Sequence, residues 1–329
     1  MDNGETVDTR DEGVRMGLRF GLLGTGYWAA ETHAAALDAH PGATLAGVWG
    51  RDEAKAATLA ERYGTRAYAD FEALLDDVDA VAVALPPHIQ GNLALRAARA
   101  GKHLLLDKPL ALSTLEADAV VAETEARGLA SVVFFTSRFS ENVVEFVDSA
   151  AAEGGWNGVR ATLFASIFEP GNPYGGSRWR QQKGGLWDVG PHVLSLVLPV
   201  LGPVTQVTAM AGPRDTVHML TRHESGAVGS FAVTVNAAPE AKTFEVVLHG
   251  ERGWVPVPGG DRSPVEAFGA AVDRLLAQVE GTVGDPCDVR FGRDVVAVLE
   301  AAEASVRLGR AVGVDEAAGQ RSGGTRPLS

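Results

Sequence analysis

Over the first 136 residues, short apolar runs alternate with segments of helical spacing. Continuous apolar runs of this kind are typical of parallel strands that are buried on both faces. The predicted strands are Leu18–Leu23, Ala43–Gly50, a short edge segment at Ala67–Tyr68, Asp79–Leu85, His103–Leu106 and Ala130–Phe135. Because a helix is predicted between successive strands, the pattern indicates a Rossmann-type doubly wound parallel sheet that ends near Thr136.

The pattern changes in the second half. After a helix at Asn142–Ala152, strand-like runs follow one another across short turns, which indicates a large, mostly antiparallel sheet. Two further helices are predicted at Pro264–Val279 and Gly292–Leu308, which makes this half α+β. The predicted organisation is a nucleotide domain at 17–136 and a substrate and oligomerisation domain at 137–314. Residues 1–16 and 315–329 have a composition typical of disorder.

Composition narrows the class of protein. A chain of 329 residues is long for one core, and its 46% hydrophobic and 22% charged residues are ordinary for a globular protein. The net charge of −13 argues against nucleic acid or an anionic membrane as a general partner. The single Cys287 and a polar, acidic N-terminus fit a cytoplasmic location. No Cys, His or carboxylate spacing predicts a metal site.

The first predicted strand runs into Gly24-Thr25-Gly26-Tyr27-Trp28-Ala29, and a helix follows. In a dinucleotide-binding turn the first glycine permits the tight bend and the second lets the backbone approach a pyrophosphate. The free N–H groups of the following helix then face the phosphates. We expect residues 24–28 to contact a dinucleotide. A glycine turn without a ligand is the alternative interpretation.

The end of the second strand predicts which dinucleotide binds. Gly50 and Arg51 stand where an acidic residue would select the free 2′-hydroxyl of NAD. Glycine leaves room for a 2′-phosphate, and an arginine can pair with it. NADP is therefore favoured. NAD remains possible if Asp52 reaches the ribose instead.

Two later strand ends supply candidate residues for the crevice. The loop Pro86-Pro87-His88 follows one strand, and Asp107-Lys108-Pro109 follows the next. Ligands of doubly wound sheets bind at these carboxyl ends. Lys108 is thus predicted to point into the crevice, although a surface lysine before a helix has the same local sequence.

Asp188 and His192 lie four residues apart, so one helix would place both on the same face. Pro191 is tolerated only near a helix start, which puts His192 close to an N-terminus. The helix dipole there favours a neutral imidazole, which is the form that a general base requires. A buried histidine that binds Asp188 for structural reasons is the alternative.

These segments together resemble the glucose-fructose oxidoreductase/inositol dehydrogenase (Gfo/Idh/MocA) family over roughly residues 17–314. The similar motifs are GTGYWA at 24–29, AGKHLLLDKP at 100–109, GGWNG at 154–158 and GGLWDVGPH at 184–192. Asp107-Lys108-Pro109 is similar to the family's Glu-Lys-Pro, and residues 188–192 match its Asp-x-Gly-x-His.

The resemblance implies an NAD(P)-dependent oxidoreductase that acts on a secondary alcohol or ketone of a sugar, sugar derivative or cyclitol. It implies that His192 moves the hydroxyl proton, that Lys108 stabilises charge on the same oxygen and that Asp188 orients Lys108 or His192. Its cofactor set adds Leu85, Pro86, His88, Asp107, Lys108, Trp179 and Arg180 to residues 24–28, Gly50 and Arg51. The open sheet implies a homo-oligomer, a dimer or tetramer.

Three positions depart from the family pattern: Leu85, Gln90 and Ser195. Because the resemblance places them around cofactor and substrate, altered substrate contacts are expected. Polar residues of the loop Phe168–Ser177, such as Glu169, Asn172 and Tyr174, are candidates for those contacts. Two other functions remain open: a non-catalytic dinucleotide-binding regulator, and an enzyme that uses transient oxidation by bound NAD for elimination or glycoside cleavage.

Overall fold

A computed structural model describes residues 17–282 and 284–320 of the chain. The N-terminal half is a six-stranded sheet in the order β3-β2-β1-β4-β5-β6 with every neighbouring pair parallel. This is the order of a dinucleotide-binding doubly wound sheet, so the predicted fold is confirmed. Its strands are β1 (Leu18–Leu23), β2 (Ala43–Trp49), β3 (Arg66–Tyr68), β4 (Ala80–Val83), β5 (His103–Asp107) and β6 (Ser131–Phe134).

The connections between these strands are helical, as the spacing predicts. The first begins as a π-helical turn, Ala29–Ala34, and continues as α1 (Ala35–Ala39). Side chains of Asp52, Asp70 and Ser113 accept hydrogen bonds from the first turns of three others, which fixes where those helices begin. The remaining helices of this half are α2 (Glu53–Arg62), α3 (Phe71–Asp76), α4 (Pro87–Arg99) and α5 (Thr114–Ala126).

The second half contains a mixed seven-stranded sheet in the order β12-β11-β7-β10-β9-β8-β13. Only the β10–β7 pair is parallel, so the prediction of a mostly antiparallel sheet is confirmed. Two short edge strands, β12 and β13, were not predicted. The strands are β7 (Trp156–Phe164), β8 (Val204–Ala211), β9 (Val217–His223), β10 (Val228–Thr234), β11 (Thr243–Gly250), β12 (Gly253–Pro256) and β13 (Val312–Gly313).

One face of this sheet is covered by helices and the other is open. Residues alternate between buried and exposed along β9, which is the pattern of a sheet with one covered face. The helices of this half are α6 (Glu141–Glu153), α7 (Arg178–Asp188), α8 (Gly190–Leu201), α9 (Pro264–Val279), α10 (Val289–Leu308) and α11 (Val314–Gln320). Helices α8 and α10 pack on the covered face.

Helix α9 crosses back to the nucleotide domain, where it packs against β5, β6 and the π-helical turn. Phe268 of α9 is fully buried, and its ring lies 5.0 Å from that of Phe134 and 4.1 Å from the imidazole of His33. The predicted boundary at residue 136 divides the chain by sequence alone. In the structure, the core of the nucleotide domain also includes α9, which comes from the second half of the chain.

The structure differs from the prediction at the stretch that contains Asp188 and His192. Asp188 ends α7 and His192 lies in the first turn of α8, so the two are not on one helix. Val189 separates the two helices, and Pro191 lies in the first turn of α8, where a proline is tolerated. Gly184, with φ +61°, bends α7 further upstream. The prediction that His192 lies near a helix N-terminus agrees with this geometry.

By length and composition, Arg178–Leu201 is also the one helical stretch among the described residues that is apolar enough to cross a membrane. Of its 18-residue apolar window, 83% is buried inside the protein. A window buried to that extent is what helices of a protein core show.

The predicted disordered tail is wrong for residues 315–320. Residues 314–320 form α11, which packs against α10 and β8. Ala317 is buried in that contact, and Arg310 forms an ion pair of 2.6 Å with Glu316. The predictions of disorder at 1–16 and 321–329 lie outside the described residues.

Candidate functional site

A cavity of about 600 Å³ lies at the carboxyl ends of β1, β4 and β5, next to the loop that leads into α7. This is the edge at which doubly wound sheets bind ligands. The cavity brings together three segments: the glycine turn, the turn Asp107-Lys108-Pro109 after β5 (the lysine turn) and the start of α8, which carries His192. Its predicted lining residues are Gly26, Tyr27, Trp28, Leu85, Pro86, Asp107, Lys108, Trp179, Arg180, Asp188 and His192.

The glycine turn has the shape that a dinucleotide requires. A Cβ added at Gly24, whose φ is +130°, would lie 2.5 Å from the carbonyl oxygen of Ala84, so only glycine fits there. A Cβ at Gly26 would meet nothing within 4 Å, which leaves the turn open for a phosphate to approach the backbone. The residues present therefore fit a dinucleotide.

Five predicted cofactor residues do not line the cavity: Gly24, Thr25, Gly50, Arg51 and His88. A Cβ at Gly50 would lie 2.6 Å from Cγ2 of Thr25, so the two residues pack together behind the turn. Arg51 is exposed at the end of β2. The predicted loop at Pro86–His88 is shorter in the structure, because α4 begins at Pro87 and places His88 on its exposed side.

Lys108 is held by Asp188. Its Nζ donates to the backbone oxygen of Asp188 at 2.6 Å and to the carboxylate Oδ1 at 3.0 Å. Both side chains are almost buried, with 11% and 7% of their surfaces exposed. Among the described residues Nζ makes no third hydrogen bond, so one ammonium proton remains to donate to a substrate oxygen.

Asp188 also binds Arg180, whose Nε donates to Oδ2 at 2.8 Å. The guanidinium of Arg180 lies 4.8 Å from the ring centres of both Trp179 and Tyr174, which fixes its orientation. Burial alone would raise the pKa of Asp188, but the charges of Lys108 and Arg180 outweigh burial and lower it to about 2. Asp188 is therefore ionised at any physiological pH.

His192 faces the same cavity as a neutral imidazole. Burial lowers its pKa to about 3, and the positive charge of Lys108 acts in the same direction. The predicted neutral state thus follows mainly from desolvation and from the neighbouring cation. No hydrogen bond between His192 and Asp188 is present among the described residues, so Asp188 orients Lys108 instead.

The carboxylate of Asp107 contacts the backbone of its own turn and lies near His33. Its Oδ1 accepts from the backbone N–H of Lys108 at 2.8 Å, and its Oδ2 lies 3.7 Å from Nε2 of buried His33. Burial raises the pKa of Asp107, but His33 and Lys108 outweigh burial and hold it below its usual value. No motif in the sequence marks the position of His33 beside Asp107.

Of the three departures from the family pattern, only Leu85 lines the cavity. Gln90 and Ser195 are fully buried and do not line the cavity. The Ser195 hydroxyl donates to the backbone oxygen of His192 at 2.8 Å, and the amide of Gln90 binds the backbone of the lysine turn.

The remaining wall of the cavity comes from the loop before α7 and from residues that no motif marks. Tyr174 lines the cavity as expected, but Asn172 instead accepts a hydrogen bond from the Tyr174 backbone at 2.9 Å. Burial raises the pKa of Tyr174 to about 12, so its hydroxyl remains protonated. Sequence analysis missed the rest because apolar and small loop residues carry no chemical signal: Thr136, Ile167, Pro173 and Gly176.

Comparison with known proteins agrees with this geometry. The family model described as the oxidoreductase family with an NAD-binding Rossmann fold matches residues 18–135. The model of the GFO/IDH/MocA C-terminal domain matches residues 159–255. Together the two models cover most of the chain, in the order expected for the two halves.

Among curated proteins, dTDP-3,4-didehydro-2,6-dideoxy-alpha-D-glucose 3-reductase of Streptomyces antibioticus is 35% identical over 190 residues. That match covers 56% of this chain and 57% of the reductase, so the chain spans little more than half of that relative. An uncharacterised oxidoreductase of Escherichia coli, YdgJ, is 28% identical over 80% of this chain and 81% of its own length.

Among solved structures, levoglucosan dehydrogenase in complex with NADH and L-sorbose has a TM-score of 0.79 at 22% identity, covering 92% of this chain and all of that one. The WlbA dehydrogenase of Bordetella pertussis, in complex with NADH and UDP-GlcNAcA, also has a TM-score of 0.79, at 20% identity, covering 95% and 99%. At these identities the likeness concerns the fold. Given the two family models, the sheet order and the relatives, the chain belongs to the Gfo/Idh/MocA family of oxidoreductases.

Proposed function

We propose that this protein is an NAD(P)-dependent oxidoreductase that transfers a hydride between the nicotinamide and a secondary alcohol or ketone of a sugar, sugar derivative or cyclitol. The observation that carries the proposal is the pairing of Lys108 with ionised Asp188 in the same cavity as a neutral His192. A dinucleotide-binding regulator would not need this group of three side chains.

The nicotinamide supplies or accepts the hydride when it is bound. In the direction of oxidation, His192 takes the hydroxyl proton of the substrate on its neutral imidazole. Lys108 donates a hydrogen bond to the same oxygen and stabilises the negative charge that develops there. Asp188 holds the ammonium in place through two contacts, and Arg180 holds Asp188. In the direction of reduction the same groups return the proton.

Sugar-type substrates are proposed because of the relatives. They include a reductase named for a dTDP-linked deoxysugar and, at 27% identity over 242 residues, the levoglucosan dehydrogenase of Pseudarthrobacter phenanthrenivorans. The cavity supports this class, since the aromatic rings of Trp28, Tyr174 and Trp179 provide faces for the C–H groups of a ring.

NADP is the proposed cofactor over NAD. The carboxylate of Asp52 accepts from the N–H of Lys55 at 3.1 Å and lies 3.6 Å from its Nζ, so it is already used at the start of α2. Arg51 is exposed at the end of β2, and among the described residues it forms no ion pair with an acidic side chain. These two observations favour a 2′-phosphate over a free 2′-hydroxyl.

Nicotinamide fluorescence tests the cofactor. We expect NADPH to bind more tightly than NADH, and Arg51→Ala to weaken NADPH binding by about tenfold because one charge-assisted contact is lost. NADH binding should not change in this variant. Equal binding of both cofactors, indifferent to Arg51, would assign NAD and direct attention to Asp52.

Steady-state kinetics with a ketosugar that supports NADPH oxidation tests the catalytic assignment. His192→Asn should lower kcat by about 10²–10⁴-fold, because it removes the acid–base group. Lys108→Met should lower kcat by about 10²–10³-fold, because the charge on oxygen loses its donor. The matched control is Lys242→Met on an exposed loop, which should retain full activity. Variants at 108 and 192 that turn over at the wild-type rate would refute these roles.

The neutral imidazole has a consequence for stability. His192 has a pKa of about 3 in the folded chain against 6.5 for an ordinary histidine, so the unfolded state takes up the proton first as the pH falls. Stability should therefore decrease below pH 6.5. Urea denaturation should show the wild type losing about 1–2 kcal/mol more than His192→Gln between pH 6.5 and 5. Parallel losses would mean that the imidazole is solvated.

We also propose that the open face of the second sheet packs against another copy of the chain. Strand register places four exposed apolar side chains on this face, Met210, Leu220, Val228 and Trp254. Met210 is 75% exposed and Trp254 is 62% exposed. An apolar patch of this kind is typical of an interaction surface.

Light scattering tests the assembly. The wild type should be a dimer or tetramer at micromolar concentration, and Leu220→Lys should shift it toward monomers because a charge would be buried without a partner. Leu115→Lys is the control, since Leu115 is 65% exposed on α5 in the nucleotide domain. A monomeric wild type would rule out this interface.

A further inference from the structure

Gln90 is a fully buried amide in the first turns of α4, with both ends of its side chain bound to one short segment of backbone. Its Oε1 accepts from the N–H of Asp107 at 3.1 Å. Its Nε2 lies 2.5 Å from the carbonyl oxygen of Asp107, 3.0 Å from that of Pro109 and 3.3 Å from that of Leu110. One side chain thus binds the backbone on both sides of Lys108.

This segment needs such a partner because the regular pairing of β5 ends there. Asp107 is the last residue of β5, and Pro109 has no N–H to continue a ladder. The carbonyl groups of residues 107, 109 and 110 all turn toward the amide of Gln90, which is fully buried. A carboxamide offers donors and an acceptor at once, which no apolar or acidic side chain of the same size does.

The position of Gln90 also relates the lysine turn to the cofactor side of the cavity. Helix α4 begins at Pro87, immediately after Ala84, Leu85 and Pro86, which line the cavity. The amide therefore connects the loop after β4 with the turn after β5.

We propose that Gln90 is a positioning residue, which sets the backbone on both sides of Lys108 so that its Nζ meets Asp188 and the substrate oxygen. This inference rests on the proposed function for its catalytic consequence. The effect of Gln90 on the position of the Lys108 amine can be measured without any substrate.

The experiment compares Gln90→Leu with Gln278→Leu. Gln278 is a matched control, because its amide also binds backbone, accepting from Ser131 N at 3.3 Å and donating to Ser131 O at 3.3 Å, but none of its contacts is to the backbone around Lys108. Both variants lose amide contacts to the backbone at one end of a strand, Gln90 as a fully buried side chain and Gln278 as a partly buried one. Only Gln90→Leu should change the chemistry of Lys108.

The readout is the acylation rate of each lysine by acetic anhydride, followed by mass spectrometry of the peptides. Gln90→Leu should raise the rate at Lys108 by about tenfold, because the amine is no longer held at the Asp188 carboxylate. The rate at Lys242 should not change, and Gln278→Leu should leave Lys108 as in the wild type. Equal rates at Lys108 in both variants would overturn the proposal.

A second variant covers the case in which Gln90→Leu does not fold. Gln90→His keeps one donor and one acceptor, so it should fold and give a smaller increase in Lys108 acylation. With a substrate in hand, kcat should fall by about 10²-fold in Gln90→Leu with an unchanged Kd for NADPH, as expected for a displaced catalytic group. If the wild type binds neither NADPH nor NADH, the proposed function fails, whereas the acylation result still decides the role of Gln90.

Discussion

The carboxylate of Asp188 sits between two cations, and the geometry of the cavity depends on that arrangement. Lys108 comes from the end of a strand in the nucleotide domain, whereas Asp188 and Arg180 come from a helix of the other half. A buried carboxylate without partners is costly. Arg180 lies on the same helix as Asp188, whereas Lys108 reaches Asp188 only because the two halves meet. The ion pair thus fixes the relative position of the groups that would act on a substrate.

The same carboxylate explains why His192 is available for proton transfer. The carboxylate of Asp188 accepts hydrogen bonds from Lys108 and Arg180 and not from the imidazole of His192. Burial and the nearby ammonium then keep the ring neutral. Asp188 is kept ionised by two nearby cations, whereas His192, four residues later, is kept neutral by burial and by one of the same cations.

Much of this fold could be predicted because its determinants are local. The apolar runs and the glycine turn indicate a doubly wound sheet directly, and Pro191 correctly indicates a helix start at His192. Asp188 and His192 lie on two successive helices, because the first ends at Asp188 and the second begins at Gly190, and spacing alone cannot report this break at Val189. The burial of Gln90 and the formation of α11 were not predicted, for a related reason. Their surroundings come from segments that are distant in the sequence, and no periodicity in the chain encodes such contacts.

The return of α9 to the nucleotide domain has a consequence for how the chain is made. Phe134 and His33 belong to the first half, but the ring that buries them, Phe268, is synthesised more than a hundred residues later. Because translation proceeds from the N-terminus, the nucleotide sheet leaves the ribosome with an apolar surface that it cannot yet cover. That part of the core closes only when α9 has been synthesised and packs against it.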